Sequence, residues 1–209
     1  MPTLQQILTF LNKIEKLKTV KRAIQVSDNS RKESPAEHTW RVAVMAMIFQ
    51  RKFNLKLDLL KTLEIILLHD VIEAEALDVW IEKGDTKGNQ TKQEKEMIAS
   101  KNIFWMLKNE KLEMRNEEYD MWDEMRNLRL EYEESKTKEA IFAKALDKIE
   151  VIVQRIDLWY ENRENYWDRD KEKIYEILMS WADGAVEKVP ELKDFLNLVK
   201  NEIAKQVEQ

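Results

Sequence analysis

The sequence predicts an all-α protein, and three observations carry that prediction. Three glycines and three prolines in 209 residues leave little turn chemistry for β-hairpins. Apolar residues at 44% and charged residues at 36% suit amphipathic helices with solvated outer faces. Apolar positions recur at spacings of three and four along most of the chain, the period of a helix buried on one side.

Leu4, Ile7, Leu8, Leu11, Ile14 and Leu17 predict a first helix over about 3–17, and the polar, basic stretch 18–33 reads as a loop or short helix. Ser34-Pro35-Ala36-Glu37 then offers an N-cap serine, proline at the first helical position and glutamate at the third, so a second helix starts there with a capping box. His38 falls in its first turn, and Val42, Met45 and Phe49 continue its stripe. A third helix over about 56–76 becomes apolar on most sides by Ile65, which places it centrally. Residues 82–93 hold two of the three glycines and read as a mobile loop. Charged helices follow near 91–109 and 115–134. A long helix from about 136 carries Phe142, Leu146, Ile149, Val153 and Ile156. Two more, near 168–182 and 191–207, complete the pattern. Five of the seven tryptophans (Trp40, Trp105, Trp122, Trp159 and Trp181) are expected to fill helix interfaces, and Met45 and Met47 to lie in the core.

A formal net charge of −5 argues against a nucleic-acid surface built on bulk basicity. It leaves room for a local basic pocket. The chain has no cysteine, so neither a disulfide nor a thiolate metal site can form, which suits a reducing cytoplasm. The amino-terminal stretch has no signal-like apolar core, and no uncharged run approaches the ~20 residues that span a bilayer. A soluble cytoplasmic protein with neither membrane nor nucleic-acid partners is the expectation.

The chain has only two histidines, both in places that suit a metal site. His38 heads the second helix. His69-Asp70 sits inside the apolar run Ile65 to Ile72, with Glu73 one turn on, a spacing that would put the three polar groups on one helix face. Asp147 lies on the buried stripe of the long helix, although Lys144 and Lys148 offer it an ordinary ion pair. Unpartnered polar groups are costly to bury, and one cation shared by His38, His69, Asp70 and Asp147 would satisfy all four. Imidazole nitrogen and carboxylate oxygen without thiolate suit Mn, Co, Fe or Mg.

The pattern of a histidine, a His-Asp pair and a later aspartate, all on helices, resembles the HD-domain metal-dependent phosphohydrolases. Within them, Glu37-His38 followed by Arg41 to Ala46, the stretch His69 to Asp78, and Lys144 to Glu150 are similar to segments of the 5'-deoxynucleotidases. Leu17 to Arg22 and the stretch from Trp122 to Tyr132-Glu133-Glu134 add to the resemblance, which covers roughly 4–180. It implies a single compact multi-helix HD-type domain over 1–209, with a charged loop and helix excursion at about 82–135. It implies His38, His69, Asp70 and Asp147 as ligands of a divalent metal ion and Glu73 as the carboxylate that handles the proton. Arg22 would be the phosphate contact and Asp78 the sensor of the sugar 2' position. The function so implied is metal-dependent removal of the 5'-phosphate from deoxynucleoside monophosphates, by a homodimer. Two other readings stay open: an HD phosphohydrolase of nucleoside triphosphates or cyclic nucleotides, and a helical binding or regulatory protein with a structural metal.

Overall fold

A computed structural model of the chain describes residues 2–28, 30–76, 86–108, 121–161 and 171–207. It is all-α over these residues. The helices are α1 (Leu4–Ile14), α2 (Pro35–Lys52), α3 (Leu59–His69), α4 (Glu73–Ala76), α5 (Thr86–Trp105), α6 (Met121–Glu134), α7 (Lys138–Glu161), α8 (Lys171–Val186) and α9 (Lys193–Val207). Short 3-10 turns follow α1 (Glu15–Lys18) and precede α9 (Pro190–Leu192).

The centre of the fold is α7, which packs against α2, α3, α6, α8 and α9. Its sequence explains why so many neighbours can reach it. Ala140, Ala143 and Ala145 let backbones approach closely, while Leu146, Ile149 and Ile152 fill the space between, and all six are fully buried. They belong to a large core shared with α2, α3, α8 and α9. A smaller core gathers Phe10 of α1, Phe104 of α5 and Leu68, Val71 and Ile72 around the end of α3. The two cores meet along α3, because Ile65 and Ile66 belong to the first and Leu68 to the second.

The basic stretch after α1 forms neither a helix nor a regular strand. It folds back on itself, with the Arg22 amide donating to the Glu33 carbonyl at 2.8 Å and the Glu33 amide to the Ile24 carbonyl at 2.9 Å. One antiparallel bridge joins Gln25 and Lys32. On α7, the Gln154 amide donates to the Gln25 carbonyl (3.1 Å) and to the Glu33 carboxylate (2.9 Å), pinning this fold-back to the core.

Several expectations need correction. The helix expected over 56–76 is two helices, because α3 ends at His69 and α4 begins at Glu73. The Nδ1–H of His69 donates to the Ile66 carbonyl at 2.6 Å, taking the acceptor that the next amide of the ladder would use. Of the loop expected over 82–93, residues 86–93 are helical and belong to α5; 82–85 lie outside the described residues. Trp40 and Trp105 are 67% and 45% exposed rather than buried in helix interfaces, and Met47 is 41% exposed while Met45 is in the core. Trp122 and Trp181 do pack against the cores. The Trp159 side chain lies outside the described residues. Among the described residues, no helix is long and apolar enough to cross a membrane.

The start of α2 matches its sequence signature. The Ser34 hydroxyl accepts from the Glu37 amide at 3.3 Å, and the Glu37 carboxylate accepts from the Ser34 amide at 3.0 Å. A hydrogen bond from Arg31 and those from Ser34 outweigh the opposing effect of burial and hold the Glu37 carboxyl at about 2. With its pKa depressed in the folded state, Glu37 contributes stability that is complete above its ordinary value of 4.5 and is lost as the pH falls towards 2. Replacing Ser34 by Ala should cost about 0.5–2 kcal/mol in urea denaturation at neutral pH. An unchanged midpoint would show that this cap does not contribute to stability.

Candidate metal centre

Five side chains converge where α2, α3 and α7 meet. His38 sits one turn into α2, where the Ser34 cap fixes the helix start, and is fully buried. His69 is the last residue of α3 and Asp70 is its C-cap, so their side chains leave the helix end into the seam between the two cores. Asp147 and Glu150, three residues apart on α7, share the face turned toward His38.

The imidazoles are held in matching ways. His38 Nδ1 lies 2.6 Å from Glu150 Oε2, and its Nε2 lies 3.1 Å from Asp147 Oδ1. His69 Nδ1 is engaged by the Ile66 carbonyl. Its Nε2 is buried, makes no hydrogen bond among the described residues, and stands 3.2 Å from Asp70 Oδ2. Each ring thus uses Nδ1 for a protein acceptor and presents Nε2 inward. A hydrogen bond at one ring nitrogen orients metal-binding histidines in the same way. The ring centroids are 5.7 Å apart. Ligand atoms of His38, His69 and Asp147 all lie within 4.8 Å of one another, a group that can hold a metal ion. An unsatisfied buried Nε2 facing a carboxylate-rich space fits a divalent cation well.

Asp147 is the most heavily engaged of the acids. Its Oδ2 accepts from the Tyr132 hydroxyl at 2.6 Å and from Lys148 Nζ at 2.7 Å, while Oδ1 faces His38. Burial alone would raise its pKa, but Lys148 and the two histidines hold it well below the ordinary aspartate value. Burial and the neighbouring Asp147 push the Tyr132 phenol well above its ordinary value, so it remains a donor. Burial opposes charge on Lys148, and Asp147 more than offsets that and raises it. Burial and Arg22 work against a proton on His38; the hydrogen bonds its ring donates to Asp147 and Glu150 outweigh them and lift it to about 9. The ion pair between Lys148 and Asp147 that the sequence suggested as an alternative is real, and it sits within the centre.

Asp70 lies beside the histidine pair rather than within the tight group. Arg22 Nη1 reaches its Oδ2 at 3.3 Å, and Arg22 Nε lies 3.2 Å from Glu33 Oε2. Burial would raise the Asp70 pKa, but His69, Arg22 and His38 hold it well below its usual value. Glu33 behaves oppositely: burial and nearby Glu150 raise it to about 7 despite Arg22. Glu73 opens α4, its amide donating to the Asp70 carbonyl at 2.9 Å, and its Oε2 is shielded from solvent. Because the helix ends at His69, the position of Glu73 is set by this turn and not by a continuous helix face. Asp78 lies outside the described residues.

Sequence reasoning gave no role to Glu150, Glu33 or Tyr132. The i, i+3 spacing of Asp147 and Glu150 on an otherwise apolar stripe was the available signal for Glu150. No local pattern marks Glu33, which reaches the centre only through the fold-back.

The fold and the site define an all-α protein organised around a buried cluster of two histidines and carboxylates that can hold a cation. The chain belongs to the HD-domain family, whose description matches residues 14–192. It is 34% identical over 160 residues to 5'-deoxynucleotidase HDDC2 of Mus musculus, covering 76% of this chain and 72% of that one. It is 29% identical over 197 residues to 5'-deoxynucleotidase hdd1 of Schizosaccharomyces pombe, covering 94% and 89% of the two chains. The crystal structure of a predicted metal-dependent phosphohydrolase from Magnetospirillum magnetotacticum shares the fold with a TM-score of 0.74, covering 97% and 93% of the chains at 23% identity.

If Glu150 orients His38, then Glu150→Gln should weaken Mn binding by about 10–100-fold in calorimetric titration while the far-ultraviolet spectrum stays helical. Wild-type metal affinity in that variant would remove Glu150 from this role.

Proposed function

We propose that the chain is a metal-dependent phosphomonoesterase that removes the 5'-phosphate from deoxynucleoside monophosphates. The observation that carries the reading is the convergence of two imidazole Nε2 atoms with Asp147, beside an arginine in contact with Asp70. The names of the relatives at about 30% identity support the substrate class.

In this reading His38, His69, Asp70 and Asp147 hold the ion, which is Mn, Co, Fe or Mg. When bound, it supplies positive charge that polarises the phosphoryl group and acidifies water. The remaining work falls to the chain. Tyr132 and Lys148 occupy Oδ2 of Asp147 and leave Oδ1 directed inward. Arg22 turns from Asp70 to a phosphate oxygen, where its planar fork offers two donors. Glu73 accepts the proton of the attacking water at a carboxylate oxygen and returns it to the departing 5'-oxygen. The new bond joins water oxygen to phosphorus, the bond to the 5'-oxygen breaks, and nucleoside and inorganic phosphate leave. Asp78 is proposed to read the sugar by excluding a 2'-hydroxyl.

We also propose a homodimer. On α2, Trp40, Met47 and Ile48 are exposed, and on the adjacent α3 so are Leu60 and Leu67. Apolar surface of this kind on packed helices is what a second copy would cover. Trp40→Glu should shift the sedimentation of the protein from dimer to monomer. A monomeric wild type would end this part of the proposal.

Phosphate release from paired deoxy- and ribonucleoside 5'-monophosphates, with Mn, Co or Mg restored to stripped protein, tests the activity. Metal-dependent release favouring the deoxy form is expected, with Glu73→Gln about 10²–10⁴-fold slower at unchanged metal affinity. Release only from triphosphates or cyclic nucleotides would replace the substrate class. No release from any phosphoester despite bound metal would favour a binding protein.

A further inference from the structure

The groove between α7 and α8 holds a cavity of about 290 Å³ that the hydrolytic reading leaves unused. Lys144 and Lys148 enter it from α7, Lys188 enters from the turn after α8, and Trp181 and Ile141 supply apolar wall. None of its lining residues is acidic, in a chain whose formal net charge is −5.

The lysines are compensated only in part. Lys148 is paired with Asp147. Lys144 donates to the main-chain carbonyls of Tyr132 (3.4 Å) and Glu133 (3.2 Å), with the Glu133 carboxylate 3.9 Å away. Lys188 makes no ion pair among the described residues. Burial pushes the Lys144 ammonium down and the carboxylates of Glu133 and Asp147 oppose this, while the like charges of Lys148 and Lys188 add to it. Three cations around one small space repel one another, and an anion between them would relieve that repulsion. The floor is also open: a Cβ on Gly184 would meet no atom within 4 Å.

We propose that this groove is a second phosphate-binding pocket, adjoining the metal centre at Lys148, for a phosphorylated small molecule of mononucleotide size whose ring lies on Trp181. Lysine ammoniums receive phosphate as point charges, and the indole offers a π face that stacks on any planar base. The volume sits at the lower end of small-molecule pockets, roughly 300–1,000 Å³, which suits one nucleotide and not a polymer. Lys148 belongs to both places, so an anion in the groove competes with Asp147 Oδ2 for the same ammonium.

The test is calorimetric titration of the full, metal-stripped chain with AMP, and separately with inorganic phosphate and with adenosine. It involves no turnover, so its result and that of the phosphatase assay can fail independently. AMP should bind more tightly than either half. Lys188→Glu and Gly184→Leu should each weaken AMP by about tenfold or more, the first by reversing a charge and the second by filling the floor. Both sites are exposed, and both variants should keep the wild-type circular dichroism and melting temperature. AMP binding that is unchanged in both variants would locate it elsewhere, beside Arg22, and overturn the proposal. Failure of the wild type to bind AMP, or binding of inorganic phosphate as tight as that of AMP, would overturn it too.

Discussion

The rest of the structure depends on the buried carboxylate of Asp147. Removing an ionised carboxyl from water costs several kcal/mol unless partners restore what water supplied. Here His38 comes from α2, Tyr132 from α6 and Lys148 from α7 itself. Satisfying one acid therefore fixes where two other helices sit against the central one. Such a cluster is a poor route to stability, because well-packed apolar side chains of similar volume usually do as well or better. That it stands at the centre of a close-packed core is best explained by chemistry done there.

The centre also shows how a helix end becomes a site. An uninterrupted α3 would spend the Ile66 carbonyl on its own ladder. Instead the His69 ring takes it, the helix stops, and Asp70 and Glu73 are carried into the following turn. The same bond fixes which nitrogen of His69 faces inward, as Glu150 does for His38. Two unrelated acceptors, a main-chain carbonyl and a buried carboxylate, thus give the same result at each ring.

Much of this was legible in sequence because the signals were local. The capping box at Ser34 predicted the start of α2 to the residue, and the helical period gave the start of α7 and the extent of α9 closely. The histidines and Asp147 stood out as polar residues on apolar stripes, and the structure brings them together. What escaped was non-local. The break after His69 arises from a side chain competing for a carbonyl, and no glycine or proline marks it. Trp40 and Met47 share the composition of core residues but lie on the outer face of α2, and hydrophobicity alone does not tell core from uncovered surface. Residues 86–93 have loop-like composition yet form the first turns of α5, where one glycine weakens a helix without breaking it. Glu33 enters the centre only because the chain folds back between α1 and α2.

An acidic chain that handles a phosphate dianion faces an electrostatic problem, and the placement of its cations answers it. Charges separated by more than about 8 Å are largely screened at physiological salt. The net charge of −5 is therefore a weak obstacle, and the groups within contact distance decide binding. Arg22 is 12% exposed and spans Asp70 and Glu33, so its guanidinium is already desolvated and held in place before an anion arrives. Glu33, lifted to about 7, can give up part of its charge near neutral pH, which lessens its hold on Arg22 and leaves more of that cation for a ligand. Across α7, Lys148 does the converse: its charge is committed to Asp147 while its position also lines the lysine groove. Arg22 is shared between a weak acid, Glu33, and a strong one, Asp70, whereas Lys148 is paired with the strong acid Asp147. In the proposed reading, the first would receive the substrate phosphate and the second a ligand that competes with Asp147.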